Sequence, residues 1–173
     1  MEEGLDKEIA AISLKYNRKM AEIKGQSENE KALRIALGEL MQQEIADATI
    51  KHQDKETKIL QDAAAKKVKA LSEEAAEQQA IRTRQYELDM LALEKRKALH
   101  EISEEDYEHQ SYALTMQYAK ETHDAIIASL EEQLAVENLT AEERKRIAKE
   151  LAEKKIAYAK ATSEAEIKAI EDT

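Results

Sequence analysis

The stretch Ile102-Ser103-Glu104-Glu105-Asp106-Tyr107 decides the fold. The Ser103 hydroxyl can accept from a first-turn backbone N–H, and three acids follow where the positive end of a helix dipole favours them. Ile102 can staple against Tyr107 across that turn. The chain contains no proline, so a signal of this kind has to mark where one helix stops and the next begins. Two more stand in the chain. In Gly25-Gln26-Ser27-Glu28-Asn29-Glu30, Gly25 offers a left-handed C′ residue, Ser27 a cap and Glu30 the return arm of a capping box. In Asn138-Leu139-Thr140-Ala141-Glu142-Glu143, Asn138 takes the C′ role, and Thr140 with Glu143 forms the box.

Between these signals the pattern is helical. Four helices are expected, at about 5–24, 28–101, 104–137 and 141–171. The first carries Leu5, Ile9, Ile12, Tyr16, Met20 and Ile23 at steps of three and four. The third offers Tyr112, Met116, Ala119, His123, Ile126 and Leu130, and the fourth Ile147, Leu151, Tyr158, Ala161 and Ala165. On the second, a line through Leu60, Ala64, Val68, Leu71 and Ala75 resumes at Leu88, Ala92 and Leu99. That helix either continues throughout as a stalk or breaks near Asp62 or Ser72. Gly38 lies inside it, at a position needing close helix approach or at one of no consequence. Acid-to-base pairs four apart, such as Glu30/Arg34, Glu150/Lys154 and Glu164/Lys168, support the exposed faces.

Composition agrees. Alanine, glutamate, lysine, leucine and arginine make up well over half of the 173 residues, and Cys, Trp and Phe are absent. Disulfides, thiolate catalysis and cysteine-ligated zinc are excluded. Short turns between helices imply antiparallel neighbours. The expected fold is therefore all-α, an elongated antiparallel coiled coil or set of helical hairpins of about four helices. The segments are an N-terminal helix over 1–26, a long central helix over 27–102 with its alternative break near 62–72, and a C-terminal hairpin over 103–173 turning near 138–140.

Twenty-seven basic residues stand against 37 acidic ones, a net charge of −10, which argues against nucleic acid and anionic membrane as partners. No apolar run approaches the roughly 18 residues of a membrane span, and Met1-Glu2-Glu3-Gly4 lacks the pattern of a secretory signal. Of the histidines at 52, 100, 109 and 123, only Asp106/His109 approaches helical metal-ligand spacing, and it stands alone. His123 reads as a seam residue. Glycines at 4, 25 and 38 make no phosphate loop. No catalytic residue, cofactor or metal site is assigned, and an enzyme is not expected. Narrow, alanine-rich seams leave apolar edges, so self-association is expected.

The stretch from Leu14-Lys15-Tyr16-Asn17-Arg18-Lys19-Met20-Ala21-Glu22-Ile23 into Ser27-Glu28-Asn29-Glu30-Lys31-Ala32-Leu33 resembles segments of phage tail tape-measure proteins. So does Ile102-Ser103-Glu104-Glu105-Asp106-Tyr107 leading into Leu114 and Tyr118. The resemblance implies a coiled-coil portion of a longer chain, acting in virion assembly inside the tail tube, where helical length sets tail length. Its partners would be the tail tube or tail-assembly proteins, in the bacterial cytoplasm or the virion tail. The leading expectation is thus a structural spacer or length-determining element. The alternative is a helical-hairpin chaperone or adaptor that binds other proteins, or a stalk or tether within a larger assembly. Mostly polar or acidic turns argue against gripping a client at the hairpin tips.

Overall fold

The computed structural model describes the backbone of residues 2–171 and the side chains of residues 3–163. It contains four helices: α1 (Glu2–Glu22), α2 (Glu28–Ala98), α3 (Glu104–Leu134) and α4 (Ala141–Glu171). The side chains of Glu164, Ala165 and Lys168, which enter the sequence pattern of α4, lie outside the described residues. Both capping boxes form, and Ser103 caps α3. Ser27 and Glu30 exchange bonds of 3.0 and 3.3 Å, Thr140 and Glu143 of 3.1 and 3.2 Å, and the Asp106 N–H donates to Ser103 Oγ at 3.0 Å. These bonds hold the Glu30, Asp106 and Glu143 carboxyls below their ordinary values, the serine or threonine hydroxyl being the main cause.

The helix C-termini differ from the sequence reading. Gly25 is not left-handed. The connection that follows α1 is held instead by the Arg34 guanidinium, which donates to Ile23 O and to Gly25 O. Glycine at 25 leaves room for the box: a Cβ would lie about 2 Å from the Glu30 carboxylate and push that side chain away from Ser27. Asn138 does take φ 60°, and His100 takes φ 59°. At His100 the His100 N–H donates to Lys97 O and the Glu101 N–H to Arg96 O, both at 2.9 Å, the double bond of a Schellman motif. This is why α2 ends at Ala98.

The chain divides into two compact units, residues 1–60 and 61–173. In the first, α1 packs on the early part of α2 through Ile12, Tyr16 and Ala48, flanked by Met20, Leu37, Met41 and Ile45. Lys15 reaches across to Glu44 at 2.8 Å. In the second, the later part of α2 packs with α3 and α4 around Ala64, Val68, Leu130, Val136 and Ile147, and Ile147 is only 1% exposed. Val136 and Leu139 fold the α3–α4 turn back onto this core.

The expected elongated antiparallel coiled coil is thereby corrected. The fold is all-α with four helices, but its packing is local, in two compact units with separate cores. The physical reason lies on α2, which is helical throughout, Asp62 and Ser72 included. Its first buried line runs Leu37, Met41, Ile45, Ala48, and its second starts at Ala64. Each line belongs to a separate core, and Ile50, Ile59 and Leu60 between them are exposed, so no single seam follows the helix. The resumed line also fails, because Leu88 and Leu99 are 52% and 65% exposed. On α3 the anticipated stripe holds only in its C-terminal half, since Tyr112 is 58% exposed. The tape-measure resemblance and the spacer or length-determining role fall with the continuous seam that both required.

Candidate protein-binding groove

The α2–α3 pair of the second unit is held by polar groups rather than by leucines. Tyr118 Oη lies 2.9 Å from Thr83 Oγ1 and accepts from Gln79 Nε2 at 3.1 Å. Gln79 also donates to Thr122 Oγ1 at 3.3 Å, and Tyr86 Oη is 3.1 Å from Thr115 Oγ1. The Tyr86 and Tyr118 rings stack at 4.5 Å between centroids. Near the turn, Lys97 pairs with Glu104 and sits 4.5 Å over the Tyr107 ring. The Glu104 carboxylate raises the Lys97 amine above its ordinary value, and the pair closes the α2–α3 corner.

This ladder sets the two helices side by side and leaves an open groove of about 370 Å³ along one flank. Ala92, Leu93, Ala113 and Leu114 supply its apolar surface, while Asp89, Arg96, Gln110 and Gln117 stand around it. Arg96 Nη1 donates to Gln110 Oε1 at 3.3 Å, bridging the helices. Alanines in both walls let a third element approach the backbones closely. The groove stays uncovered by α4, because α3 turns a different face to that helix. His123 stacks on Tyr158 of α4 at 3.8 Å, and by helical spacing His123 lies opposite Leu114.

A second hollow of about 440 Å³ lies among α2, α3 and α4, with Val68, Leu130 and Gln133 inside and Lys69, Glu73, Arg146 and Glu150 around it. Its carboxylate Glu143 already serves the Thr140 cap. Acids and bases alternate there without a convergent constellation, so the α2–α3 groove is the stronger site.

The histidines are scattered. His100 closes α2, His123 is a packed seam residue with Nδ1 at 3.2 Å from Asp124, and Asp106 is committed to Ser103. Among the described residues no group of three or more His, Asp or Glu could hold a metal ion. No described helix is long and apolar enough to cross a membrane. Two buried side-chain nitrogens, Arg82 Nε and His123 Nε2, have no hydrogen-bond partner among the described residues.

The sequence places Ala92 on an expected buried line, names Leu114 only within the resemblance, and gives no role to Leu93 or Ala113. A usable signal was the run of hydroxyl and amide groups at 79, 83, 115, 118 and 122, which repeats at helical spacing on both helices. No family model, curated protein or solved structure matches the chain.

Proposed function

We propose that the chain is a helical adaptor that binds other proteins, acting by docking rather than by catalysis. The observation that carries this reading is the α2–α3 groove, an open groove with an apolar floor and polar groups on both rims that no other described element of its unit fills. Helix-in-groove recognition requires this arrangement, with small residues admitting the partner and apolar ones receiving its anchors. Asp89, Arg96, Gln110 and Gln117 would fix the register of a bound helix through polar contacts. The apolar surface thus runs along a helix flank and not at the polar hairpin tips, which removes the objection raised by the turns.

Site-specific photo-crosslinking tests the proposal. A photoreactive residue at Gln117 should give adducts with a small set of proteins in cells, and Ala113→Arg in the same chain should remove them. The same residue at Glu153, on the exposed face of α4, should give none of them. Identical adducts from both positions, or none from Gln117, would overturn the reading.

A further inference from the structure

On the flank of α2 beside the groove, four exposed residues recur every seventh position: Glu74, Ile81, Leu88 and Lys95. Ile81 and Leu88 are 62% and 52% exposed. Ala70 and Leu99 extend the line at its two ends, Leu99 being 65% exposed. A seven-residue repeat keeps side chains on one face of a helix, the arrangement by which two helices meet. This face points away from the Ala64–Val68–Leu71 line buried in the unit's own core. Nothing within the described chain covers it, and the charged ends are free: among the described residues, neither Glu74 nor Lys95 has an ion-pair partner.

The order of these residues identifies the occupant. Acid, apolar, apolar, base is complementary to itself when reversed. We propose that a second copy of this chain docks antiparallel on this face, Ile81 of each copy against Leu88 of the other around a two-fold axis. The same register sets Glu74 of each copy opposite Lys95 of the other and Ala70 opposite Leu99. A parallel pairing would instead oppose like charges at both ends, so the charge order selects the antiparallel form. The arrangement is isologous and closes at two copies.

Its strength follows from its size. Residues 70–99 span about 45 Å of helix, and a strip about 10 Å wide gives roughly 450 Å² from each copy. The total of about 900 Å² falls below the roughly 1,200 Å² at which stable interfaces begin, which places the dimer in the weak, transient class. The proposal goes beyond the adaptor reading, and its test is separate from that reading's, since Ile81 lies outside the groove-lining set and Gln117 is not on the stripe.

Analytical ultracentrifugation of the full chain between micromolar and ~100 µM is the first test. The natural chain should pass from monomer to dimer, and Ile81→Glu should stay monomeric. Glu74→Lys should weaken the dimer roughly tenfold, and adding Lys95→Glu should restore it, because reversing both signs preserves the complementarity. The chain has no cysteine, so introduced thiols report the register without interference. The double variant Ile81→Cys/Leu88→Cys should oxidise to a covalent dimer, while Ile81→Cys alone should not, because the two copies of that position stand about seven residues apart. A natural chain monomeric at ~100 µM, a dimer surviving Ile81→Glu, or a charge reversal without rescue would each overturn the proposal.

Discussion

Replacing His100 with glycine should make the protein more stable, and the size of the gain can be worked from the backbone. His100 sits at φ 59° at the end of α2, where its N–H and that of Glu101 close the helix onto Lys97 and Arg96. A side chain in this left-handed region is crowded against the carbonyl that follows, at a cost of roughly 1–2 kcal/mol. Glycine removes that cost but loses about 0.4–1 kcal/mol through the greater freedom of its unfolded chain. The net is a stabilisation of about 0.5–1 kcal/mol for His100→Gly, or about 1–4 °C in the thermal midpoint for a chain of this size. The imidazole is exposed, so its removal alone offers little. His100→Ala therefore serves as control, since it keeps the strained backbone and discards the ring. Urea unfolding followed by far-ultraviolet circular dichroism reads both variants. An equal gain in the alanine and glycine variants, or a loss in the glycine variant, would refute the reasoning.

Three further outcomes follow from the same structure. Gly38→Ala should stabilise by about 1 kcal/mol in urea unfolding, because glycine is a poor helix residue and a Cβ there meets nothing within 4 Å. Ile147→Ala removes the most deeply buried side chain of the second unit and should cost about 2–5 kcal/mol in the same assay. Acid should weaken the helix starts. The Glu30, Asp106 and Glu143 carboxyls lie below ordinary values of 4.5, 3.8 and 4.5 in the folded chain. Their contribution is therefore complete above those values and lost as pH falls through the depressed ones. Thermal midpoints measured from pH 7 down to 3 should drop below about pH 4.5, and the drop should be smaller in Glu143→Gln.

What could be read in advance follows from how local the chemistry is. Ser27, Ser103 and Thr140 cap helices using partners three residues away, so short stretches of sequence were enough to find them. Gly25 does not act as a left-handed C′ residue, because the Arg34 guanidinium holds the connection after α1 through Ile23 O and Gly25 O without that turn. The left-handed turn at His100 is not legible, because a histidine carries no sign of the conformation that a glycine in its place would announce. The two cores are hidden by α2 itself, whose buried line is interrupted between Ala48 and Ala64 while alanines and charges occupy every face. Extending the Leu60–Ala75 line to Leu88 assumed one constant face, and the structure turns that residue outward. The groove was less visible still, because it depends on Gln79, Thr83, Tyr118 and Thr122 pairing two helices. In sequence those residues show only as a run of hydroxyl and amide groups at helical spacing, with nothing to say that the two helices meet through it.

Hydrogen exchange along α2 tests the separation into two cores most directly. Amides over Leu37–Ala48 and over Ala64–Leu71 should be the most protected, with faster exchange across Ile50–Leu60, where both buried lines are absent and Ile50, Ile59 and Leu60 are exposed. Uniform protection from Leu37 to Leu71 would contradict the account and restore a single seam running the length of the helix.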